Sequence, residues 1–219
     1  MRYFKSRADA GDQLADQLEP KYRFDDCAVV ALSDGGVMVG AQIAARLHCV
    51  INLLMTEAIK LPREIDTLAT IDIYGKVTYN DMYSAGELEA LRSEYLNYIE
   101  QEKMIKRSEM NKLLGDGGVI DPALLRGRVV IVVSDGLTNG LSMRAAYEFL
   151  KPYKIKRLVM VSTFANVAAV DQMHVMADEI LCLNVFDEII SVDHYYEDNT
   201  MPSHETIIKT ISDIILNWK

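Results

Sequence analysis

The feature that most constrains the fold of this chain is a run of β-branched residues with a glycine-rich segment directly after it. Residues 128–133 read RVVIVV, and such a continuous apolar run is typical of a strand that is buried on both faces in the middle of a parallel sheet. Residues 134–142 (SDGLTNGLS) follow at once, and a helical pattern occupies residues 143–150. The order of strand, turn and helix predicts an α/β fold, because parallel strands need crossover connections that are usually helical.

A second unit of the same kind lies nearer the start of the chain. Residues 28–32 (AVVAL) predict a buried strand, residues 33–36 (SDGG) predict a turn, and residues 37–47 show helical spacing. The other predicted elements are strands at 50–55, 157–162 and 179–183, a hairpin of 67–74 with 76–79 that turns at Gly75, and helices at 165–176 and from about 203 to 218.

The longest predicted helix covers residues 84–114. Its apolar residues fall on one stripe and its charged residues predict a solvated face; the stripe consists of Leu88, Leu91, Tyr95, Tyr98 and Ile105. Residues 113–118 (LLGDGG) are expected to end this helix, and Asp121 with Pro122 to begin a loop. We therefore expect one domain, residues 1–219, with the long helical insertion 84–114 within it.

The charge balance and the apolar pattern argue against several classes of protein. The 219 residues include 23 Lys and Arg against 32 Asp and Glu, a formal charge of −9, which argues against a nucleic-acid backbone as the main partner. No apolar run approaches the roughly 20 residues of a membrane-spanning helix, and no apolar stretch follows the charges of the first residues. We therefore expect a soluble cytoplasmic protein with neither nucleic acid nor membrane as partner, and the acidic balance still allows a small anionic ligand that is held locally.

The cysteines and histidines do not predict a metal centre. Cys27, Cys49 and Cys182 lie in or beside apolar stretches and form no C-x-x-C pair, so reduced thiols that pack as small hydrophobic groups are the simpler interpretation. The four histidines also lack the spacing of a zinc site, so a zinc enzyme is not indicated.

The two glycine-rich turns are the candidate sites for chemistry. Ligands of open parallel sheets bind beyond the carboxyl ends of the strands, where the first N–H groups of a helix have no internal partner and favour an anion. This predicts a phosphate cradle at residues 136–142 and a second anion-facing loop at residues 35–40. The alternative is that the glycines only shape ordinary turns. Neither segment is a dinucleotide-binding G-x-G-x-x-G sequence, a G-x-x-x-x-G-K-[ST] loop or a G-x-S-x-G elbow.

Residues 129–142 (VVIVVSDGLTNGLS) resemble the phosphoribosyl pyrophosphate motif of type I phosphoribosyltransferases. The resemblance extends over nearly the whole chain, because further segments look like successive landmarks of a bacterial branch described as predicted phosphoribosyltransferases. These segments are residues 4–11, 32–40, 177–183 and 195–198. The resemblance implies an α/β fold with a parallel sheet flanked by helices.

The resemblance also implies roles for individual residues. Asp135 would take the second position of the family's acidic pair, which contacts the ribose hydroxyls, in some members through Mg²⁺; Asp135 is therefore the candidate catalytic residue and the candidate Mg²⁺ ligand. The phosphate loop would consist of Gly136, Leu137, Thr138, Asn139, Gly140 and Ser142. The loop that faces pyrophosphate would consist of Ser33, Asp34, Gly35 and Gly36.

Three positions depart from the family's pattern. Ser134 stands where the first acid of the pair is expected, Asn139 where Thr or Ser usually precedes the glycine, and Asp34 where relatives usually carry Arg. A carboxylate about 4 Å from a phosphate oxygen is repelled by roughly 4 kcal/mol at an effective dielectric constant near 20. We therefore expect weakened binding of phosphoribosyl pyrophosphate, unless Asp34 points away or a metal ion reverses the local charge.

Three functions stay open on the sequence. The first is a Mg²⁺-dependent enzyme that transfers the phosphoribosyl group to a base. The second, favoured by the altered charges, is a non-catalytic regulatory protein on the same fold that binds a phosphate or a nucleotide. The third is a homo-oligomeric scaffold with the long helix, or Tyr195 and Tyr196, at its interface, although core packing is the simpler interpretation of the two tyrosines.

Overall fold

The strands of the computed structural model, which describes residues 4–62, 64, 66–114 and 120–216, form two sheets. They are β1 Cys27–Ala31, β2 Val50–Leu53, β3 Thr56–Lys60, β4 Thr67–Asp72, β5 Val77–Tyr79, β6 Val129–Ser134, β7 Arg157–Asn166 and β8 Glu179–Phe186. The larger sheet is parallel, with the order β2-β1-β6-β7-β8. The β-branched run therefore occupies the central strand, as predicted. Every residue of β1 and β6 is buried, which explains their continuous apolar character.

One α-helix precedes β1, and others lie between the strands or after them along the described chain. The helices are α1 Arg7–Tyr22, α2 Asp34–Leu47, α3 Ala85–Glu94, α4 Leu96–Leu114, α5 Leu141–Leu150, α6 Val167–Met176 and α7 His204–Leu216. Serines begin the first two helices in the same way. Ser6 and Ser33 are extended, and each hydroxyl oxygen accepts a hydrogen bond from the backbone N–H three residues on. Within the described ranges, no helix has the length and apolar character needed to cross a membrane.

The smaller sheet is antiparallel, with the order β3-β4-β5. The hairpin of β4 and β5 was predicted, and Gly75 in its turn has φ of +87°, a conformation that favours glycine. β3 was not predicted, because residues 50–55 were interpreted as one strand. The chain instead leaves the parallel sheet after Leu53 and pairs Thr56–Lys60 with β4. Polar residues such as Glu57 and Lys60 are tolerated in β3 because it is an edge strand.

The predicted long helix is two helices, α3 and α4, which meet at Tyr95. Tyr95 has φ −105° and ψ 21°, outside helical geometry. The break moves the buried face, so Ile99 and Met110 are buried while Ile105, which the stripe placed in the core, is 40% exposed. Ile99 and Met110 are about three turns apart, on one face of α4. The proposed end at 113–118 falls mostly on residues outside the described ones; α4 itself is described up to Leu114.

Two strands of the parallel sheet extend beyond their predicted ends. β7 runs to Asn166 rather than to residue 162, and β8 runs to Phe186 rather than to residue 183, and the two remain paired to these ends. Ser162 and Thr163 are polar but fully buried, so the apolar pattern stopped short of the structural strand. The extension places Thr163 beside the glycine-rich turn after β6. The assignment of residues 1–219 to one domain stays a prediction.

Candidate functional site

The two glycine-rich turns meet at the carboxyl edge of the parallel sheet. β1 and β6 are neighbours, with Ala31 opposite Val133, and the N–H of Leu32 donates to the carbonyl of Val133 at 3.1 Å. Beyond this point the Ser33 hydroxyl donates to Oδ1 of Asp135 at 2.9 Å. The two turns that the sequence predicts to face anions therefore lie side by side at one edge of the sheet.

Asp135 is the centre of a buried hydrogen-bond network, and its side chain is only 11% exposed. Its Oδ2 accepts a hydrogen bond from Nε of Arg7 at 2.8 Å. Its carbonyl oxygen accepts from the Thr163 hydroxyl at 2.6 Å and from the Tyr196 hydroxyl. Both carboxylate oxygens and the backbone oxygen of Asp135 are thus engaged by the protein itself.

Arg7 is a residue of this site that sequence reasoning did not select. It is the first residue of α1 and only 4% exposed, its Nη2 lies 2.6 Å from Oδ1 of Asp193, and its guanidinium carbon lies 4.5 Å from the centre of the Tyr196 ring. Burial opposes its charge, but the hydrogen bonds to Asp135 and Asp193 outweigh burial, so the pKa of Arg7 is raised above its ordinary value. Its Nη1 is buried and has no hydrogen-bond partner among the described residues. Residues 4–11 were noted as a landmark, yet nothing in their pattern predicted that Arg7 reaches the sheet edge.

Gly35 is required by this ion pair. A Cβ at Gly35 would lie 2.0 Å from Oδ2 of Asp135 and 2.8 Å from Nε of Arg7, both far inside contact distance. The resemblance implies that Gly35 and Gly36 face pyrophosphate. In the structure the space beside Gly35 is filled by Arg7 and Asp135, and a Cβ at Gly36 would lie 3.1 Å from the carbonyl oxygen of Val133.

The loop of residues 136–142 divides into a packed and an open part. Leu137 is buried, its N–H donates to Phe164 and its carbonyl accepts from Asn166, so this residue fixes the loop to β7. Thr138 and Asn139 are exposed. Within the described chain, no protein acceptor takes a hydrogen bond from the backbone N–H groups of Thr138, Asn139, Gly140 and Ser142.

Asn139 and Gly140 come directly before the first residue of α5. The side-chain oxygen of Asn139 accepts from the N–H of Leu141 at 3.1 Å and so forms an Asx turn directly before α5, whose N-cap is Gly140. A Cβ at Gly140 would lie 1.8 Å from Oε1 of Gln172, which is buried and has no hydrogen-bond partner among the described residues. Gln172 in turn donates to Asp81 at 3.1 Å. Sequence reasoning identified neither Gln172 nor Asp81 as a neighbour of the loop.

Ser134 and Asp34, two of the positions that depart from the family's pattern, are engaged by the protein. The Ser134 hydroxyl donates to the carbonyl of Gly136 at 3.0 Å, so it stabilises its own turn. The carboxylate of Asp34 has both oxygens 2.9 Å from Nδ1 of His204, the first residue of α7. The charge of Asp34 therefore faces a histidine that no sequence motif had singled out.

The residues around Asp135 do not fit a Mg²⁺ ion as they stand. Mg²⁺ prefers oxygen ligands such as carboxylates and water in a near-octahedral shell. Both carboxylate oxygens of Asp135 accept hydrogen bonds, one of them from a buried cation, and the hydroxyl of Ser134 is used within its turn. Among the residues that the structure describes, no three His, Cys, Asp or Glu side chains are grouped as a metal site. The magnesium expectation stays a prediction, and the contacts of Asp135 and Ser134 argue against it.

The tyrosines and cysteines take structural roles. Tyr195 and Tyr196 are 1% and 3% exposed and pack with Phe164, so they do not form an exposed interface, and their interpretation as core residues is confirmed. The three cysteines are free, and burial raises the pKa of each thiol, to about 11 for Cys27 and Cys182. A raised pKa disfavours the thiolate, so nothing in their environment activates them as nucleophiles.

Comparison with known proteins gives the family. The family model described as "Phosphoribosyl transferase domain" matches residues 4–198. Two proteins from two strains of Mycobacterium tuberculosis, each named "putative phosphoribosyl transferase", are 24% identical over 210 residues, which cover 95% of this chain and 46% of theirs. The chain thus spans about half the length of the curated relatives it matches.

Solved structures show the same fold. TT1426 from Thermus thermophilus superposes with a TM-score of 0.72 at 24% identity, covering 97% of this chain and 99% of that one. The AQ2163 protein from Aquifex aeolicus gives a TM-score of 0.51 at 10% identity, covering 83% and 77%. The predicted fold class, a parallel sheet flanked by helices, is confirmed. Because the family model covers the chain from Phe4 to Asp198, both glycine-rich turns included, the chain belongs to the phosphoribosyl transferase domain family.

Proposed function

We propose that this protein binds the phosphoribosyl part of a ribose phosphate, such as phosphoribosyl pyrophosphate, on the loop at the start of α5. The observation that carries the proposal is the set of backbone N–H groups of Thr138, Asn139, Gly140 and Ser142, which lack protein acceptors among the described residues. N–H groups at the start of a helix point toward the ligand and favour negative charge, so together they suit a phosphate group.

The packed part of the loop explains how these groups are held in place. Leu137 is hydrogen-bonded to β7 through both its N–H and its carbonyl, and Asn166 donates its side-chain N–H to the carbonyl of Thr138 at 2.8 Å. Ser134 closes the turn at Gly136. The loop is therefore ordered before a ligand arrives, which reduces the entropy lost on binding. Of the predicted phosphate-loop residues, Leu137 and Gly136 shape the loop, and the residues from Thr138 onward would hold the phosphate.

Transfer of the phosphoribosyl group to a base is the finer proposal, and membership of the family supports it. In such a transfer the bond from C1 of the ribose to pyrophosphate breaks and a bond from the acceptor to C1 forms. The chain's own contribution would be to fix the ribose phosphate through the loop, with Asp135 at the adjoining strand end. This is catalysis by positioning and by electrostatic stabilisation.

A non-catalytic role is the second candidate, and Asp34 is the observation that favours it. The carboxylate stands in the first turn of α2, where the resemblance places the contact with pyrophosphate, and it is bonded to His204. A site that keeps its 5-phosphate loop but carries an acid at the glycine-rich turn after β1 would bind ribose 5-phosphate better than it binds pyrophosphate.

Calorimetric titration of the full chain with ribose 5-phosphate, phosphoribosyl pyrophosphate and pyrophosphate tests the proposal. Thr138→Asp adds a carboxylate to the exposed loop and should weaken ribose 5-phosphate binding at least tenfold, since a charge pair near 4 Å at an effective dielectric constant of 20 exceeds the roughly 1.4 kcal/mol of a tenfold change. Thr138→Asn introduces a neutral side chain of the same shape as Asp and should change the affinity for ribose 5-phosphate less than threefold. Equal effects of both variants, or no binding by the wild type, would contradict the proposal. Tighter binding of phosphoribosyl pyrophosphate than of ribose 5-phosphate would favour transfer over the non-catalytic role.

A further inference from the structure

Two carboxylates from distant parts of the chain converge on one buried guanidinium. Asp135 follows β6, and Asp193 begins the short 3₁₀ turn Asp193–Tyr195 near the end of the matched family region. Their nearest oxygens lie 2.8 Å from Nε and 2.6 Å from Nη2 of Arg7. Two carboxylates at one point are an arrangement that ordinarily suits a divalent cation. Here the protein supplies the cation itself.

Several neighbouring residues hold the Arg7 side chain in place. Its guanidinium lies over the Tyr196 ring, its side chain is 4% exposed, and Gly35 lacks the Cβ that would exclude it. The Tyr196 hydroxyl donates to the carbonyl of Asp135 and lies 2.7 Å from the Thr163 hydroxyl oxygen. An arginine stays charged at any pH that a folded protein tolerates. The positive charge beside Asp135 is therefore permanent, whereas the occupancy of a metal site would depend on the concentration of the metal ion.

A divalent ion at Asp135 would have to displace this arginine. Oδ2 of Asp135 already accepts from Nε of Arg7, and Oδ1 accepts from Ser33. Displacement would leave the buried guanidinium with only Asp193, whose side chain is 68% exposed, and removing the buried partner of a buried charge is unfavourable. The neighbouring Ser134 offers no carboxylate as a second ligand, and its hydroxyl donates to the carbonyl of Gly136 within its own turn.

We propose that Arg7 takes the place of the divalent cation at Asp135, so that this protein binds its ribose phosphate without Mg²⁺. The ligand part of this inference rests on the proposed function. The exclusion of a metal ion by Arg7 does not, and it is testable in the absence of any ligand. Arg7 acts through Asp135 and is a positioning residue.

Binding of Mn²⁺, followed by electron paramagnetic resonance on the full chain, tests the exclusion. The wild type and Asp135→Asn should bind Mn²⁺ equally weakly, through exposed acids alone. Arg7→Gln removes the cation and should gain a site at least tenfold tighter, and adding Asp135→Asn to it should remove that gain. Arg7→Lys keeps the charge and should show no gain. Far-UV circular dichroism shows whether each variant folds.

The outcomes separate the inference from its alternatives. A tight Mn²⁺ site in the wild type that Asp135→Asn abolishes would overturn it, and this comparison stands even if Arg7→Gln fails to fold. An Arg7→Gln variant that folds and gains no Mn²⁺ site would overturn it as well.

A second titration tests the consequence for the ligand. Ribose 5-phosphate is the probe, because it lacks the pyrophosphate that itself binds Mg²⁺. Its affinity for the wild type in EDTA and in excess Mg²⁺ should agree within threefold. A tenfold gain with Mg²⁺ would overturn the inference. Failure of ribose 5-phosphate to bind under both conditions would contradict the proposed function, and the Mn²⁺ experiment would still decide the role of Arg7.

Discussion

Asp135 holds three parts of the chain together. Through its side chain it joins the start of α1 at Arg7 to the cap of α2 at Ser33, and through its carbonyl it joins β6 to Thr163 of β7 and to Tyr196. A residue with this many buried contacts contributes to stability whatever else it does. The resemblance assigned Asp135 to the ligand, whereas the geometry gives it a structural role at the same place.

Substitution of Asp135 by Asn should therefore destabilise the protein. The change removes the charge that faces a buried Arg7, and breaking a buried ion pair by removing one partner costs about 3 to 5 kcal/mol. Urea unfolding followed by circular dichroism measures the loss. Asp193→Asn is the matched control, because the Asp193 side chain is 68% exposed, and we expect it to cost less than about 1 kcal/mol. Equal losses for the two variants would show that burial does not decide the strength of these pairs.

Asp34 should weaken the binding of pyrophosphate-containing ligands. Asp34→Asn removes the negative charge from the first turn of α2, and we expect about tenfold tighter binding of phosphoribosyl pyrophosphate with ribose 5-phosphate unchanged, since a carboxylate near this turn repels the pyrophosphate oxygens. His204→Ala should act in the opposite direction, because it leaves Asp34 without its partner. Calorimetric titration with each of the two ligands gives the ratio of the variant's affinity to that of the wild type. If Asp34→Asn changed both affinities equally, the first turn would not face the pyrophosphate.

The secondary-structure elements were predictable where burial alone explains the pattern of apolar residues. β1 and β6 are buried on both faces, so their apolar runs identified the strands and the central place of β6. β3 was missed because an edge strand tolerates polar residues, and the end of β7 was missed because Ser162 and Thr163 are buried with hydrogen-bond partners. Hydroxyls that are satisfied internally leave no apolar pattern to detect.

The end of α1 is fixed to the start of β8 by a titratable contact. The Tyr22 hydroxyl donates to Glu179 at 2.8 Å, and burial, followed by this hydrogen bond, raises the pKa of Tyr22 to about 12. The folded state holds the phenolic proton more tightly than the unfolded state, whose tyrosine titrates near 10. The contribution is therefore complete below pH 10 and is lost as the pH rises toward 12.

Tyr22→Phe should remove this part of the pH dependence. Between pH 10 and 12 the free energy of unfolding of the wild type should fall by up to about 3 kcal/mol more than that of the variant, the equivalent of a shift of two pKa units. Urea unfolding at several alkaline pH values gives both curves. Parallel curves would mean that Tyr22 ionises in the folded state as easily as in the unfolded state.

At the scale of the whole molecule, the candidate site was predictable only in part. The two turns lie in short segments with a readable pattern, so the sequence predicted both loops as candidate anion sites, and the resemblance added Asp135. Arg7, Asp193 and His204 reach the same region from α1, the 3₁₀ turn and α7, and their partners are 128, 186 and 170 residues away along the chain. No local pattern encodes such contacts, because they depend on how the strands and helices are arranged in the folded chain.

The whole fold should respond to a ligand on the loop of residues 136–142, because that loop is bonded to β7 and begins α5. Ribose 5-phosphate at 100 times its dissociation constant should stabilise the folded state by about 2.7 kcal/mol, a rise in melting temperature of roughly 5 to 11 °C for a chain of this length. Pyrophosphate at the same concentration should raise it by less than about 2 °C, since the first turn carries Asp34. Scanning fluorimetry measures both, with Thr138→Asp as the variant in which ribose 5-phosphate loses its effect. A larger rise with pyrophosphate than with ribose 5-phosphate would place the stronger anion site at the first turn and would contradict the assignment of the phosphate to α5.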